Sequence, residues 1–417
     1  MVASDSNSKE EKIKNLPFLD KHHFSLKGKQ AEDILGFLAH KTFLTDWCYR
    51  NPILPDGKEL CDLLVIFDDI AVIWQIKDVK LKDGNIKKTD FEKTINQLSG
   101  AYRQLFELKT PITLQNPRRG EEIFNPNTIK NIYLIAAFFG DSPFIIKSMI
   151  PIKGRRVHVF TRHFTEIILN ELDTVFDFTK YLCDKEELHN TVNSIIVDGG
   201  EEEILGHYIL NNKTFRVPEG SKPFIVYVED GQWSDLVNRK EYKAKQKENK
   251  ISYLWDHLID ICHTGDSLEY ELIARLMARS NRFERRILAD AFFGAHCVAD
   301  QGQDGLSYRR TMMTNGITYC FLFCGNSKNE SERELRKKQL VVMCFIARGQ
   351  IQENTKVIGI ATDQHINPHI EFDYCFIDKP QWTKDDNVVM EQNMKDTGIF
   401  TKLDKRYKRF TEFPGGN

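Results

Sequence analysis

The 417-residue sequence lacks the features that mark membrane, secreted and polycationic proteins. No apolar run reaches the ~18 residues that cross a bilayer, and residues 1–15 are polar and charged rather than an apolar signal core. The formal net charge is only −2, so contact with nucleic acid would have to come from local basic patches. We therefore expect a cytoplasmic protein with no membrane segment, with a disordered or extended tail over residues 1–24.

Cysteine pairs at metal-binding spacing are also missing. None of the nine cysteines forms a C-x-x-C pair, and five stand inside apolar runs, namely Cys61, Cys320, Cys324, Cys344 and Cys375. This pattern predicts reduced, buried thiols in a cytosolic protein. His365 and His369 flank Pro368 and no acidic helix follows them, which predicts a loop rather than a zinc site.

The length of the chain exceeds one ordinary hydrophobic core, so two or three domains are expected. A composition of 41% hydrophobic and 28% charged residues is typical of a globular protein. We predict an α/β domain over residues 25–185, a mixed and mainly helical region over 186–300, and a second, small α/β domain for recognition, regulation or assembly over 301–417. The charged run 238–250 predicts a solvated helix face or a linker.

The C-terminal region contains apolar stretches that predict four strands and one helix. The strands are expected at 316–325, 340–349, 355–362 and 371–378, and the helix at 331–339. The segment Gly325–Ser331 has one glycine and no Walker spacing. It is expected to be an ordinary loop with Ser331 as helix N-cap rather than a phosphate-binding loop.

Three arginines at helical spacing precede that region. Arg282, Arg285 and Arg286 are predicted to form a solvated helix face, with contact to DNA or to a partner as the alternative.

The first region alternates helical and strand-like segments. Apolar residues at helical spacing predict a helix within 27–44, and two β-rich stretches around Asp68-Asp69 predict a hairpin over 59–81. A second helix is expected at 91–108, followed by strands at 132–139 and 157–160. This order predicts that the second helix is the crossover between two parallel strands.

The hairpin register brings three polar residues together. A turn centred on Asp68-Asp69 places Asp62 opposite Gln75, and places Lys77 on the same face and at the same end. Opposed residues lie ~5 Å apart and diagonal ones ~7–8 Å. The remainder of both faces is apolar, and buried polar groups are costly unless they are partnered. The trio therefore indicates a site, with a simple Asp–Lys ion pair at a strand end as the alternative.

A carboxylate and an amide oxygen at this spacing can share Mg²⁺, which prefers oxygen ligands. A neighbouring lysine can orient or deprotonate the attacking water, or neutralise a phosphate, which suits attack on a phosphodiester. Glu32, at the edge of the first helix's apolar stripe, is the candidate for a further acid, with an ordinary surface acid as the alternative. Glu59 ranks behind it because it stands at or before the start of the strand.

The spacing of Asp62 and the Gln75-Ile-Lys77 sequence, thirteen residues apart, resembles the PD-(D/E)xK nuclease superfamily. It is similar to the D…QxK variant found in Mrr-like endonucleases. The resemblance covers residues 25–160 and implies a restriction-endonuclease-like α/β core, a mixed sheet flanked by helices. The sequence departs from the usual pattern in the amide of Gln75 and in the absence of a clear Pro-Asp pair.

Two further positions extend the resemblance. An acid on the preceding helix, Glu32, resembles the arrangement in archaeal Holliday-junction resolvases. Gln97 and Tyr102 resemble the Q-x-x-x-Y helix of RecB-type nucleases, with one extra intervening residue. They are secondary candidates, as is Glu59.

The resemblance implies Mg²⁺-dependent hydrolysis of DNA phosphodiester bonds, with Mn²⁺ as a substitute. Asp62 and Gln75 would be metal ligands, Lys77 the catalytic lysine, and Glu32 an auxiliary acid and ligand. It further implies an antiviral role, in prokaryotic defence against foreign DNA. An uncharged Gln75 lowers the expected metal affinity. The alternatives are therefore a catalytically weak nuclease-fold protein that binds nucleic acid or acts as a sensor, and a sequence-specific restriction or repair nuclease. RNA as the substrate stays open, as do a homo-oligomer and a partner protein of a defence system.

A basic segment follows the candidate site. Between Lys77 and Arg119 the chain has ten basic and five acidic residues, against a net charge of −2 overall. This excess suits a phosphate backbone, and a solvated surface is the alternative. The residues predicted to bind DNA are Lys80, Lys82, Lys87, Lys88 and Arg103.

Overall fold

The computed structural model describes residues 41–108, 111–116, 118–140, 144, 146–215, 225–263, 267–401 and 410–415. The expected tail 1–24 and most of the expected first helix, including Glu32, lie outside the described residues. The chain passes from one compact unit to a second between Lys243 and Ala244, so the predicted middle region 186–300 is shared between the two. No described helix combines the length and apolar character that crossing a membrane requires.

The first unit is built on a mixed six-stranded sheet. In chain order the first eight strands of the unit, six of which form this sheet, are β1 (Cys48–Arg50), β2 (Leu63–Phe67), β3 (Ile70–Val79), β4 (Thr113–Asn116), β5 (Gly120–Ile123), β6 (Asn131–Gly140), β7 (Met149–Ile152) and β8 (Arg155–Thr161). The sheet has the order β1-β2-β3-β6-β8-β7, and β4 pairs with β5 as a separate hairpin. The strands β9 (Ser194–Val197) and β10 (Ile225–Val228) form a small parallel pair.

The helices of the first unit begin with α1 (Lys88–Tyr102), which ends in a π-helical turn, Arg103–Glu107. The others are α2 (Arg162–Glu171), α3 (Val175–Thr191), α4 (Glu201–Leu210) and α5 (Gln232–Asn238), and the chain then crosses the boundary between the units within α6 (Lys240–Asn249). The helix α6 contains most of the charged run 238–250. A helix rather than a linker therefore forms there.

The β2–β3 hairpin has the predicted register. Leu63 lies opposite Trp74, and Phe67 lies opposite Ile70. The two-residue turn is possible because Asp68 adopts a left-handed φ of 54°, the conformation that tight hairpin turns require at this position. A short local turn therefore determines which residues of the two strands meet.

The helix α1 is the predicted crossover. Parallel strands need a long connection, and α1 stands between β3 and β6, which pair in parallel with Gln75 opposite Ala136. Leu98 of α1 packs into one core with Ile73 and Leu134. On the opposite face Trp74 stacks on Phe178 of α3, with ring centroids 5.8 Å apart. Helices on both faces explain why both faces of β3 are apolar.

The second unit is also α/β. Its elements are α7 (Tyr253–His263), α8 (Leu268–Ala278), α9 (Arg282–Asp300), β11 (Tyr308–Thr314), β12 (Ile317–Phe323), α10 (Glu330–Gln350), β13 (Lys356–Thr362), β14 (Phe372–Asp378) and α11 (Lys384–Thr397). The sheet order is β11-β12-β13-β14, with β12 and β13 parallel. The α/β class predicted for the C-terminal region is therefore confirmed.

One predicted strand of this unit is wrong. Residues 340–349 continue the helix α10, whose buried residues include Leu340, Met343, Cys344 and Ala347. These positions are three and four residues apart, a helical stripe that is hidden in the sequence because nearly every neighbour is apolar as well. The cap also differs, since the side chain of Asn329, rather than Ser331, accepts from the first backbone N–H groups of the helix.

The arginines of α9 are not on a solvated face, and that prediction is wrong. Arg282 and Arg285 are buried and lie 3.0 and 2.7 Å from the carboxylate of Asp256. The buried Arg286 donates to the carbonyl oxygen of Thr411 at 2.6 Å. Buried charges persist only when they are paired, so these guanidinium groups serve the core of the second unit and do not face DNA.

Candidate active site

The polar end of the β2–β3 hairpin is held together by hydrogen bonds. Asp62 stands directly before β2, and its Oδ2 accepts from Gln75 Nε2 at 2.7 Å and from the backbone N–H of Ile76 at 2.5 Å. The hairpin register explains this contact, because pairing of Leu63 with Trp74 carries Asp62 onto Gln75. The structure thus brings these two predicted residues together.

The carboxyl group of Asp62 is electrostatically unusual. Burial raises its pKa from 3.8 to about 6, and the charge of Glu59 adds to the rise. The hydrogen bonds from Ile76 and Gln75, and the charge of Lys77, lower the pKa but do not cancel the effect of burial. Among the described residues, hydrogen bonds reach only the Oδ2 atom. The ionised form is therefore costly, because Oδ1 accepts no hydrogen bond within the described residues.

Lys77 lies two residues beyond Gln75 on β3, so both side chains leave the same face of the strand. Lys77 is half-buried, and within the described part of the chain its ammonium has no hydrogen bond or ion pair. The next residue, Asp78, is exposed on the opposite face and lies 3.5 Å from Arg162. The strand β3 thus presents one ammonium group beside the Asp62–Gln75 pair, and its charge acts on Asp62.

Asp62 and Gln75 open into a cavity of about 250 Å³, which we call the Asp62 cavity. Its polar lining consists of Lys58, Glu59, Asp62, Gln75, Gln97 and Gln104. Two carboxylates and three amides offer mainly oxygen atoms, the ligands that Mg²⁺ and Mn²⁺ prefer. The donor set therefore fits a hard divalent cation, although the amides give it less charge than carboxylates would.

Glu59 is the second acid of this cavity. It precedes the strand, as expected, but the segment before β2 folds back, with backbone bonds from Asn51 N to Asp62 O and from Leu60 N to Pro52 O, at 2.9 and 2.8 Å. This fold places the exposed Glu59 close enough to raise the pKa of Asp62. Since Glu32 lies outside the described residues, Glu59 is the acid that the structure places beside Asp62.

The two secondary candidates on α1 lie on different flanks. Gln97 lines the Asp62 cavity, whereas Tyr102 lies under the guanidinium of Arg155, 3.3 Å from the ring centroid. Five residues along a helix correspond to roughly 140° of rotation, so the two side chains cannot share a face. Gln104, which the sequence reasoning missed, lines the cavity instead. Its spacing of seven residues from Gln97, about two helical turns, is the sequence feature that places both side chains on one face of the helix.

The predicted DNA-binding residues are all exposed. Lys80, Lys82 and Lys87 belong to the segment between β3 and α1, and Lys88 begins α1, 3.7 Å from Glu92. Arg103 stands at the other end of α1, in the π-helical turn.

Two other members of the basic segment are engaged elsewhere. Arg118 lies 2.9 Å from Asp46, and Arg119 lies 2.5 Å from Glu122. The exposed excess of positive charge is therefore concentrated between Lys80 and Lys88.

No protein-family model matches the chain, and neither a curated protein nor a solved structure gives a significant match. A functional assignment therefore depends on the geometry of the site.

Proposed function

We propose that the protein is a Mg²⁺-dependent endonuclease that hydrolyses DNA phosphodiester bonds at Asp62, Gln75 and Lys77. One observation carries the proposal: Gln75 donates to Asp62 at 2.7 Å, while Lys77, on the same face and close enough for its charge to lower the pKa of Asp62, forms no hydrogen bond or ion pair among the described residues. The order of hairpin, crossover helix and parallel strand is also the order that a PD-(D/E)xK core requires, which supports a restriction-endonuclease-like fold. A role in prokaryotic defence is proposed on that resemblance.

The cation would be held by Asp62 Oδ1, Glu59 and the amide oxygen of Gln75. When bound, it supplies Lewis-acid polarisation of the phosphate and lowers the pKa of water. The protein contributes a carboxyl group whose charge is costly without a cation, because burial raises its pKa to about 6. A neutral Gln75 avoids a further like charge beside Asp62, at the cost of weaker attraction for the metal.

Lys77 would stabilise the negative charge that develops on the phosphate. A fixed cation in a half-buried position acts more strongly than one in water, because the local dielectric is lower. The exposed lysines that follow it, Lys80, Lys82, Lys87 and Lys88, would bind the adjoining phosphate backbone through sequence-independent attraction. This arrangement supports a nuclease that positions DNA mainly by its backbone.

The test is cleavage of supercoiled plasmid with Mg²⁺ or Mn²⁺. We expect nicked and linear products from the wild type, and none with EDTA or with the Asp62→Asn and Lys77→Met variants. Asp78→Asn is the matched control, because this acid is adjacent in sequence but lies on the other face. Cleavage that survives both Asp62→Asn and Lys77→Met would refute the site. Discrete fragments would identify a sequence-specific restriction or repair nuclease.

A second candidate function is a nuclease-fold protein that binds nucleic acid, or acts as a sensor, with little catalysis. The orientation of Gln75 favours it, because the amide nitrogen rather than the oxygen is directed at Asp62. Gln75→Glu separates the two functions. If the wild type binds DNA without cutting it and Gln75→Glu gains Mg²⁺-dependent cleavage, the second function is correct.

A further inference from the structure

A second cavity lies against the same helix, on its other flank. It measures about 230 Å³, and its polar lining includes Asn96, Ser99, Tyr102, Arg103, Lys153 and Arg155. We call it the basic cavity. Arg155 stacks on Tyr102 and its Nη1 lies 3.5 Å from Glu107, so three cations face one carboxylate.

Two of these cations have no counter-charge of their own within the described ranges. In the part of the chain that the structure describes, neither Arg103 nor Lys153 forms an ion pair. Lys153 occupies the two-residue turn between β7 and β8 with a left-handed φ of 46°. That conformation is uncommon for residues other than glycine, asparagine and aspartate. The turn therefore holds a lysine in a strained position at a cavity that already contains two arginines.

Gly100 lines both cavities. It lies about 200° around the helix from the buried Leu98, so it occupies the outward ridge, with Gln97 on one flank and Asn96 on the other. Apart from its two chain neighbours and the backbone of α1 itself, no described atom lies within 4 Å of the position that a Cβ would occupy. Packing within the described residues therefore does not require glycine here, although glycine weakens a helix relative to alanine. The outward surface of α1 therefore lacks a side chain at the residue that lines both cavities.

We propose that a nucleic-acid strand crosses α1 at Gly100. Its backbone would run from the Asp62 cavity over the bare helix ridge into the basic cavity, where Arg103, Lys153 and Arg155 bind a neighbouring phosphate. Guanidinium groups suit this task because their planar donors match phosphate oxygens. This inference rests on the proposed function and names its substrate class, a polynucleotide strand rather than a mononucleotide diester.

The first test measures binding without cleavage. Fluorescence anisotropy of labelled single-stranded and duplex oligonucleotides in EDTA reports affinity. Lys153→Gln and Arg103→Gln should each weaken binding about tenfold, the loss typical of one charge-assisted contact. Each should also lower the slope of log K against log salt by about 0.7 to 0.9. Lys130→Gln is the matched control, because this exposed lysine lines neither cavity. This variant should bind the oligonucleotide with the affinity of the wild type.

The second test uses Gly100→Leu, which should keep or raise the melting temperature because the added side chain enters open space on a helix. The same variant should bind oligonucleotide about tenfold more weakly, if one phosphate contact is lost. A residue with only a structural role would change the melting temperature and not the affinity. Wild-type affinity in both Gly100→Leu and Lys153→Gln would overturn the crossing.

The crossing and the proposed function fail in different ways. If cleavage needs Asp62 and Lys77 but is unaffected by Gly100→Leu and Lys153→Gln, the crossing is refuted and the nuclease stands. If no cleavage occurs while both variants weaken binding, the crossing stands and the catalytic proposal is refuted.

Discussion

Replacing Asp62 with asparagine should stabilise the metal-free protein at neutral pH, although it removes the proposed metal ligand. Burial raises the pKa of this carboxyl group from 3.8 to about 6, so the folded state disfavours its charge. Asparagine has nearly the same shape, carries no charge, and keeps an oxygen that accepts from Gln75 and Ile76. Asp62→Asn therefore removes a cost without leaving those donors unpaired.

The size of the effect follows from the pKa. A rise in the pKa of Asp62 from 3.8 to about 6 corresponds to about 3 kcal/mol of unfolding free energy. Asp62 is only half-buried, so solvent screening reduces the expected gain to about 1–2 kcal/mol.

The pH dependence has a definite sign. As pH rises from about 4 to about 6, Asp62 of the unfolded chain loses its proton while the folded protein retains it. The unfolded state then binds fewer protons, so the wild type loses stability relative to the variant. The advantage of Asp62→Asn should be absent below about pH 3 and constant above about pH 7.

Hydrogen exchange of peptides covering β2 and β3, in EDTA, measures the stability of the first unit in both proteins at one pH. Comparison at a common pH removes the intrinsic pH dependence of exchange, and Asp78→Asn serves as the control for an exposed acid. Mg²⁺ at about 100 times its dissociation constant should then protect the wild type by about 2.7 kcal/mol and leave the variant unchanged. An Asp62→Asn protein that is less stable than the wild type at neutral pH would refute the reasoning.

Three further predictions concern the rest of the protein. Asp256→Asn should destabilise the second unit by about 3–5 kcal/mol in urea unfolding, because it leaves buried Arg282 and Arg285 without their carboxylate. The control is Asp385→Asn, which replaces an exposed acid. Gly359→Ala should cost about 1–3 kcal/mol because its Cβ would approach Cys344 Sγ to 2.5 Å, and Cys344→Ala should recover part of that loss. Cys183 is exposed and should react first with a disulfide reagent. Contacts with Cys320 and Cys375, together with burial, raise the pKa of the Cys344 thiol and should delay its reaction until the protein unfolds. A fast phase of the reaction that survives Cys183→Ser would contradict this.

Local patterns predicted the elements that carry the site. A two-residue turn at Asp68-Asp69 sets the hairpin register by itself, so the contact of Asp62 with Gln75 could be derived by counting. The crossover helix α1 was equally predictable, because its apolar residues recur at helical spacing. The segment 340–349 was not, since a run that is apolar throughout has no period from which to distinguish a helix from a strand.

What the sequence by itself determined is therefore the α/β class of both units, the hairpin and its register, and the polar trio at one end of the hairpin. Only the tertiary structure decided which distant groups join them. Glu59 reaches Asp62 because the preceding loop folds back, and Gly100 joins two cavities because α1 lies between β3 and the β7–β8 turn. It also decided that Asp256 neutralises Arg282 and Arg285 inside a core. Local spacing follows from backbone geometry alone, whereas the burial of a charge depends on which remote partner the fold brings to it.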